Sequence, residues 1–304
     1  MPGVTEAISE LPDTLVLGAG GTLGEAWMRG LLSGLEAASG PDLRACEYVV
    51  GTSAGSIVAA TLIAGRRLEV GDRAARAWAA EAGGDAGASA LRRVSGGVAR
   101  LTAAAASPLA PFALATLAPA GRAVRAAALA ASPRPERRLD AVALHLDALG
   151  ARFDGRLRVA VVERRTGRRV LFGEPGGPEA SVRDAVLASC AVPWLFAPVE
   201  IGGREYVDGG VWSPTNLDAA PGGRDTHVLC LAPTAAGGPL RAVTTAALIA
   251  EELALRARGM RVRTLVPDAA SAAAMGPSLM DASRAEDVLD AAFVQGRALA
   301  TAPG

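Results

Sequence analysis

The sequence predicts an α/β fold built on a mainly parallel sheet. Short apolar runs alternate with helix-compatible stretches from Thr14 to Gly65, each of the first two runs ends in a glycine-containing turn, and a helix follows each turn. Half of the 304 residues are apolar, enough to bury a sizeable core. The chain has no fixed-period repeat, and no Pro/Gly/Ser linker is long enough to force a boundary. Residues 1–304 therefore read as one domain, with residues 68–150 as a helical insertion or cap.

Thr14 to Leu17 is the first strand, an apolar run that stops at Gly18-Ala19-Gly20-Gly21. Glu25 to Ala38 follows as a helix, since no proline intervenes before Pro41. Tyr48-Val49-Val50 is the second strand, ended by Gly51, and Ala54 to Ala64 is a helix closed by Gly65. From Leu68 to Gly150 the pattern is helical, with breaks at Gly83-Gly84, Gly96-Gly97, Ser107-Pro108 and Ser132-Pro133. Arg156 to Val162 and Arg168 to Phe172 form a hairpin around Arg164-Arg165-Thr166-Gly167. Glu179 to Cys190 is a helix that stops before Pro193. Val199 to Ile201 and Glu205 to Val207 make a shorter hairpin through Gly202-Gly203 that ends at Asp208. His227 to Leu231 and Val262 to Val266 are later strands, each followed by a helix, over about 240–258 and 283–299.

Charge and cysteine usage exclude several classes of function. The 31 basic residues, all Arg, balance 31 acidic ones, so there is no net field for nucleic acid, and no nucleic-acid motif is present. Cys46, Cys190 and Cys230 are odd in number, far apart and without a CxxC spacing. They read as buried free thiols rather than a disulfide framework or zinc site, and no metal is expected. Met1 to Asp13 carries Glu6 and Glu10 and no apolar h-region, which predicts a cytosolic protein rather than a secreted one. Leu101 to Gly121 is uncharged over about the length of a bilayer span, but Pro108, Pro111 and Pro119 interrupt it. Flanked by Arg100, Arg122 and Arg125, it is a candidate for peripheral contact with an anionic membrane, for a lid, or for the wall of an apolar pocket. Ordinary Ala-rich core helices are the plainer reading.

Three loops carry the chemistry. Gly51-Thr52-Ser53-Ala54-Gly55 is a Gly-x-Ser-x-Gly pattern between a strand and a helix, the context of a nucleophile elbow. Small residues at Gly51 and Gly55 suit such a turn, and Ser53 at a helix N-terminus gains from the positive end of the dipole. A plain helix start capped by Thr52 or Ser53 is the alternative. The second loop, Gly18 to Gly24, lets backbone N–H groups approach an anion closely, and Gly20 and Gly21 are the candidate donors to an oxyanion. The same loop resembles a dinucleotide fingerprint loosely. A nucleotide cofactor would require an acidic residue after the second strand, where Gly51-Thr52-Ser53 stands instead, so an NAD(P)-binding reductase is the runner-up. The third loop, Tyr206-Val207-Asp208-Gly209-Gly210, places a carboxylate on a glycine turn, where it can take a proton from a serine hydroxyl or simply close its own Asx turn.

Neither histidine fits a triad. His227 lies inside the apolar run from Thr226 to Cys230, and His145 within a predicted helix, so both read as structural. A Ser53–Asp208 dyad without an imidazole fits better.

Taken together, the glycine loop, the elbow and the Asp-Gly-Gly turn resemble the patatin-like phospholipase family from Thr14 to Leu217. The stretch Ala188 to Val199 looks like the segment that precedes the catalytic Asp in that family. The resemblance implies a three-layer α/β/α fold and hydrolysis of fatty-acyl esters through Ser53 and Asp208, with no cofactor and a lipid or acyl ester as substrate. The position before Gly24, commonly Arg in the family, is Leu23. That departure shifts the expected substrate from a phospholipid toward a neutral ester or lysolipid.

Overall fold

Runs of buried residues along the central strands build a sheet covered on both faces. The computed structural model describes residues 7–38, 40–68, 121–236 and 241–301. In chain order the elements are β1 (Thr14–Leu17), α1 (Gly21–Ala37), β2 (Tyr48–Thr52), α2 (Ala54–Ile63), α3 (Gly121–Ala131), α4 (Asp140–Leu149), β3 (Leu157–Glu163) and β4 (Arg169–Phe172). Then follow α5 (Val182–Cys190), β5 (Val199–Ile201), β6 (Arg204–Asp208), β7 (His227–Leu231), α6 (Arg241–Ala257), β8 (Arg261–Leu265), α7 (Ala269–Met275) and α8 (Ala285–Thr301). The strands form one sheet in the order β5-β6-β3-β2-β1-β7-β8, with β4 also paired to β3. From β3 to β8 every pairing is parallel, while β4, β5 and β6 add antiparallel strands.

The period of two along each strand decides the layers. Leu15 and Leu17 of β1, Val49 of β2 and Leu229 and Leu231 of β7 join the main core with Leu31, Ile57, Val186 and Val288 of α1, α2, α5 and α8. Val16, Val50, Val228 and Cys230 face the other way, against Leu248 and Leu255 of α6 and Leu217. The result is helix, sheet, helix. Residues 69–120, including almost all of the apolar Leu101 to Gly121 stretch and most of the expected helical insertion, lie outside the described residues. Within the remainder of that insertion, α3 and α4 are helical as expected.

Several boundaries differ from the sequence reading by a few residues, and two of them bear on the site. Helix α1 starts at Gly21, not Glu25, because packing holds its poor helix-forming first turn: Leu23 N–H donates to Leu279 O at 2.9 Å and Pro233 lies against Gly20 and Gly24. Strand β2 runs through Gly51 to Thr52. A side chain at Gly51 would meet Ser56 Cα at 2.5 Å, so this glycine serves close packing of α2 rather than ending the strand.

Strand pairing gathers the three loops at one edge. Leu17 aligns with Gly51 and with Leu231, so the turns after β1, β2 and β7 emerge together. Across β3, Thr52 pairs with Ala160 and Asp208 pairs with Val161. Ser53 and Asp208 are thus fixed beside each other by consecutive residues of one central strand.

Candidate active site

Ser53 occupies a strained turn. Its φ of 51° and ψ of −125° lie in a positive-φ region costly for a side-chain residue, about 1–3 kcal/mol. Three hydrogen bonds hold it there: Ser53 N–H donates to Ser189 Oγ at 2.8 Å, and Ser53 O accepts from Ser56 N–H at 2.8 Å and Ser56 Oγ at 2.6 Å. Close approach does the rest, since a Cβ on Gly55 would stand 2.1 Å from Leu17 O. Ser53 is the residue before the first turn of α2, yet its hydroxyl makes no capping bond. The plain-cap alternative is therefore not what the chain does.

The hydroxyl instead meets Asp208. Burial pushes the Asp208 carboxyl up to about 7, against the opposing pull of hydrogen bonds from the Ser53 hydroxyl and from Gly210 N–H. Asp208 Oδ1 accepts that Gly210 N–H at 2.6 Å. The Asx turn and the contact with serine thus coexist on one carboxylate. Ser53 and Asp208 are 4% and 2% exposed, so water screens neither. A carboxyl poised near 7 beside a serine hydroxyl is equipped to take and return a proton at neutral pH.

The last turn of α5 and the residue that follows it staple both groups. Ser189, whose hydroxyl accepts from Ser53, donates it to Ala160 O at 2.8 Å. Two residues on, Ala191 O accepts Asp208 N–H at 3.0 Å. The same Ala160 carbonyl excludes any side chain at Gly209, whose Cβ would lie 2.3 Å away. This explains chemically why the Ala188 to Val199 stretch belongs with the other motifs, a role the sequence reading left unassigned.

Asn216 is a second residue that the sequence reading missed. Fully buried and with φ of 50°, it donates from Nδ2 to Thr52 Oγ1 at 3.1 Å, Gly209 O at 3.2 Å and Ser213 O at 2.8 Å. It ties the residue before Ser53 to the residue after Asp208. Its sequence signal was an Asn beyond a Gly/Ser/Pro turn, a residue type that tolerates the left-handed region. Beside it, Trp212 lies under the guanidinium groups of Arg125 and Arg169, at 4.5 and 5.3 Å. Helix α3 thereby packs onto the loop that follows Asp208.

The glycine loop lies at the same edge. Gly18 N–H goes to Leu231 O at 3.0 Å, Ala19 N–H to Pro214 O at 2.7 Å and Gly24 N–H to Gly20 O at 2.8 Å. The N–H groups of Gly20 and Gly21 take no backbone carbonyl among the described residues. Gly21 has φ of 58°, and Leu279 and Met280 close over it. Leu23 points into the main core, so it adds no charge to this loop.

The two histidines lie elsewhere. His227 opens β7 at the opposite edge of the sheet, near Glu10 and Arg261, and His145 is on α4. Cys46, Cys190 and Cys230 are buried free thiols, as expected. Among the described residues no group of three or more His, Cys, Asp or Glu side chains is arranged to hold a metal ion, and no helix is long and apolar enough to cross a membrane.

No curated protein sequence matches the chain significantly. Among solved structures it is similar to VipD from Legionella pneumophila, at 15% identity and a TM-score of 0.45, over 96% of this chain and 67% of that one. The family model described as patatin-like phospholipase matches residues 15–221, from β1 through the loop after Asp208. That match covers more than half of the chain and spans all three loops: the chain belongs to the patatin-like phospholipase family.

Proposed function

We propose that the protein is a serine acyl hydrolase that cleaves fatty-acyl ester bonds through a Ser53–Asp208 dyad. The observation that carries this reading is the meeting of a strained, buried serine with a buried carboxyl raised to about 7. Ser53 Oγ attacks the acyl carbonyl and its proton passes to Asp208. The N–H groups of Gly20 and Gly21 receive the oxyanion, each worth on the order of a hundredfold in rate. Collapse expels the alcohol, which takes the proton from Asp208, and leaves an acyl-Ser53. Asp208 then deprotonates a water that attacks the acyl carbonyl, and returns the proton to Ser53 Oγ as the fatty acid leaves. Leu23 in the core supports a neutral ester or lysolipid rather than a substrate that needs a cation beside the glycine loop.

The test is labelling with a fluorophosphonate probe and peptide mass spectrometry. The adduct is expected on Ser53, absent in Ser53→Ala, weakened in Asp208→Ala and retained in His227→Ala. A folded wild-type protein that takes no label would overturn the reading.

A further inference from the structure

Helix α6 carries a carboxyl side chain where its packing calls for an apolar one. Thr244, Leu248, Glu251 and Leu255 form its buried stripe. Glu251 Oε2 accepts from the Thr215 hydroxyl at 2.7 Å and from Leu217 N–H at 2.9 Å, and the Ser213 hydroxyl also bonds this carboxylate. Ser213 Oγ in turn accepts Asn216 N–H at 3.1 Å. The three donors to Glu251 therefore flank Asn216, whose side chain joins Thr52 to Gly209. Stripping a carboxyl group of water is unfavourable unless donors replace the lost hydration. Among the described residues, the replacements all come from the loop that spaces Ser53 from Asp208.

We propose that Glu251 is a positioning residue: from α6, beyond the stretch that matches the family, it holds the loop at residues 213–217 and through Asn216 sets the separation of Ser53 and Asp208. The proposal rests on the dyad reading above. A misplacement of about 1 Å at such a pair costs on the order of a hundredfold in rate, so a loosened loop registers at the serine before it registers in the fold.

The test compares the rate of fluorophosphonate labelling at Ser53, per folded molecule, in the full chain. Wild type is the reference, and its failure to label would remove the dyad and this proposal with it. Glu251→Met fills the same space without an acceptor, and is expected to lower the rate roughly 10- to 100-fold with the far-ultraviolet circular dichroism unchanged. Glu251→Gln keeps a carbonyl oxygen for Thr215 and Leu217, and is expected to restore the rate to within about threefold of wild type. Thr215→Val deletes one donor, spares the core if Glu251→Met does not fold, and is expected to slow labelling about 3- to 10-fold. Wild-type labelling by Thr215→Val or by folded Glu251→Met would overturn the proposal. So would a folded Glu251→Gln as slow as Glu251→Met, because a positioning role depends on accepted hydrogen bonds.

Discussion

In the proposed dyad Asp208 meets two opposed demands at one atom group: it must be buried to face Ser53, and burial disfavours the charge it would need as a base. With the carboxyl pushed up to about 7, only its ionised form above that pH can take the serine proton. Labelling of Ser53 is therefore expected to rise with pH through about 7, a profile read directly from rates at several pH values. Stability has the opposite sign. Between about pH 4 and 7 the folded state keeps a proton that the unfolded chain, with an ordinary Asp near 3.9, has already lost. Stability is expected to fall across that window and stay lowered above it. Asp208→Asn keeps an acceptor without the charge. It should lose labelling, gain on the order of a few kcal/mol at pH 8, and show little gain below pH 4, as thermal unfolding at the two pH values would reveal. At this scale Ser53 and Asp208 were legible because each sits in a short local pattern. Ser189 and Asn216 were not, because their partners Ser53 and Thr52 lie 136 and 164 residues away along the chain.

The elements divide in the same way. Strands β1, β2 and β7 were legible because apolar residues on both faces leave a parallel strand few alternatives. The start of α1 was not. Its first turn, Gly-Thr-Leu-Gly, has little intrinsic tendency to be helical and is held by Leu279 and Pro233 from distant parts of the chain. The short α7 was missed also; Asp268 caps it by accepting Ser271 N–H at 2.8 Å, over a run too short and Ala-rich for periodicity to show. Close approach between α2 and the end of β1 yields a prediction at this scale. A methyl on Gly55 would stand 2.1 Å from Leu17 O and 2.4 Å from Leu17 C, both backbone atoms that cannot swing aside. Gly55→Ala is expected to cost about 3 kcal/mol or more and to misplace Ser53. Urea denaturation and Ser53 labelling measure the two effects.

For the whole molecule, the family match ends before the fold does. After residue 221 come β7, which pairs with β1 on one side and β8 on the other, and α8, which packs along α1. Gly30 and Gly34 of α1 admit α8 so closely that a Cβ at Gly34 would lie 2.2 Å from Phe293 O. A chain truncated after residue 221 loses one of the two partner strands of β1, the Leu231 and Leu279 carbonyls that fix the glycine loop, and Glu251. It is expected not to fold cooperatively and not to label, which thermal unfolding and the probe would register.

The sequence by itself determined the alternation of strands and helices, the parallel character of the sheet, and the local turn patterns around Ser53, Asp208 and the glycine loop. These follow from local periodicity and turn chemistry, which act between near neighbours in the chain. Only the tertiary structure decided that Ala160 and Val161 seat Thr52 and Asp208 side by side, that His227 lies at the far edge, and that burial lifts Asp208 to about 7. Strand order, burial and long-range hydrogen bonds arise from contacts between residues far apart in sequence, and no local pattern encodes which of them will meet.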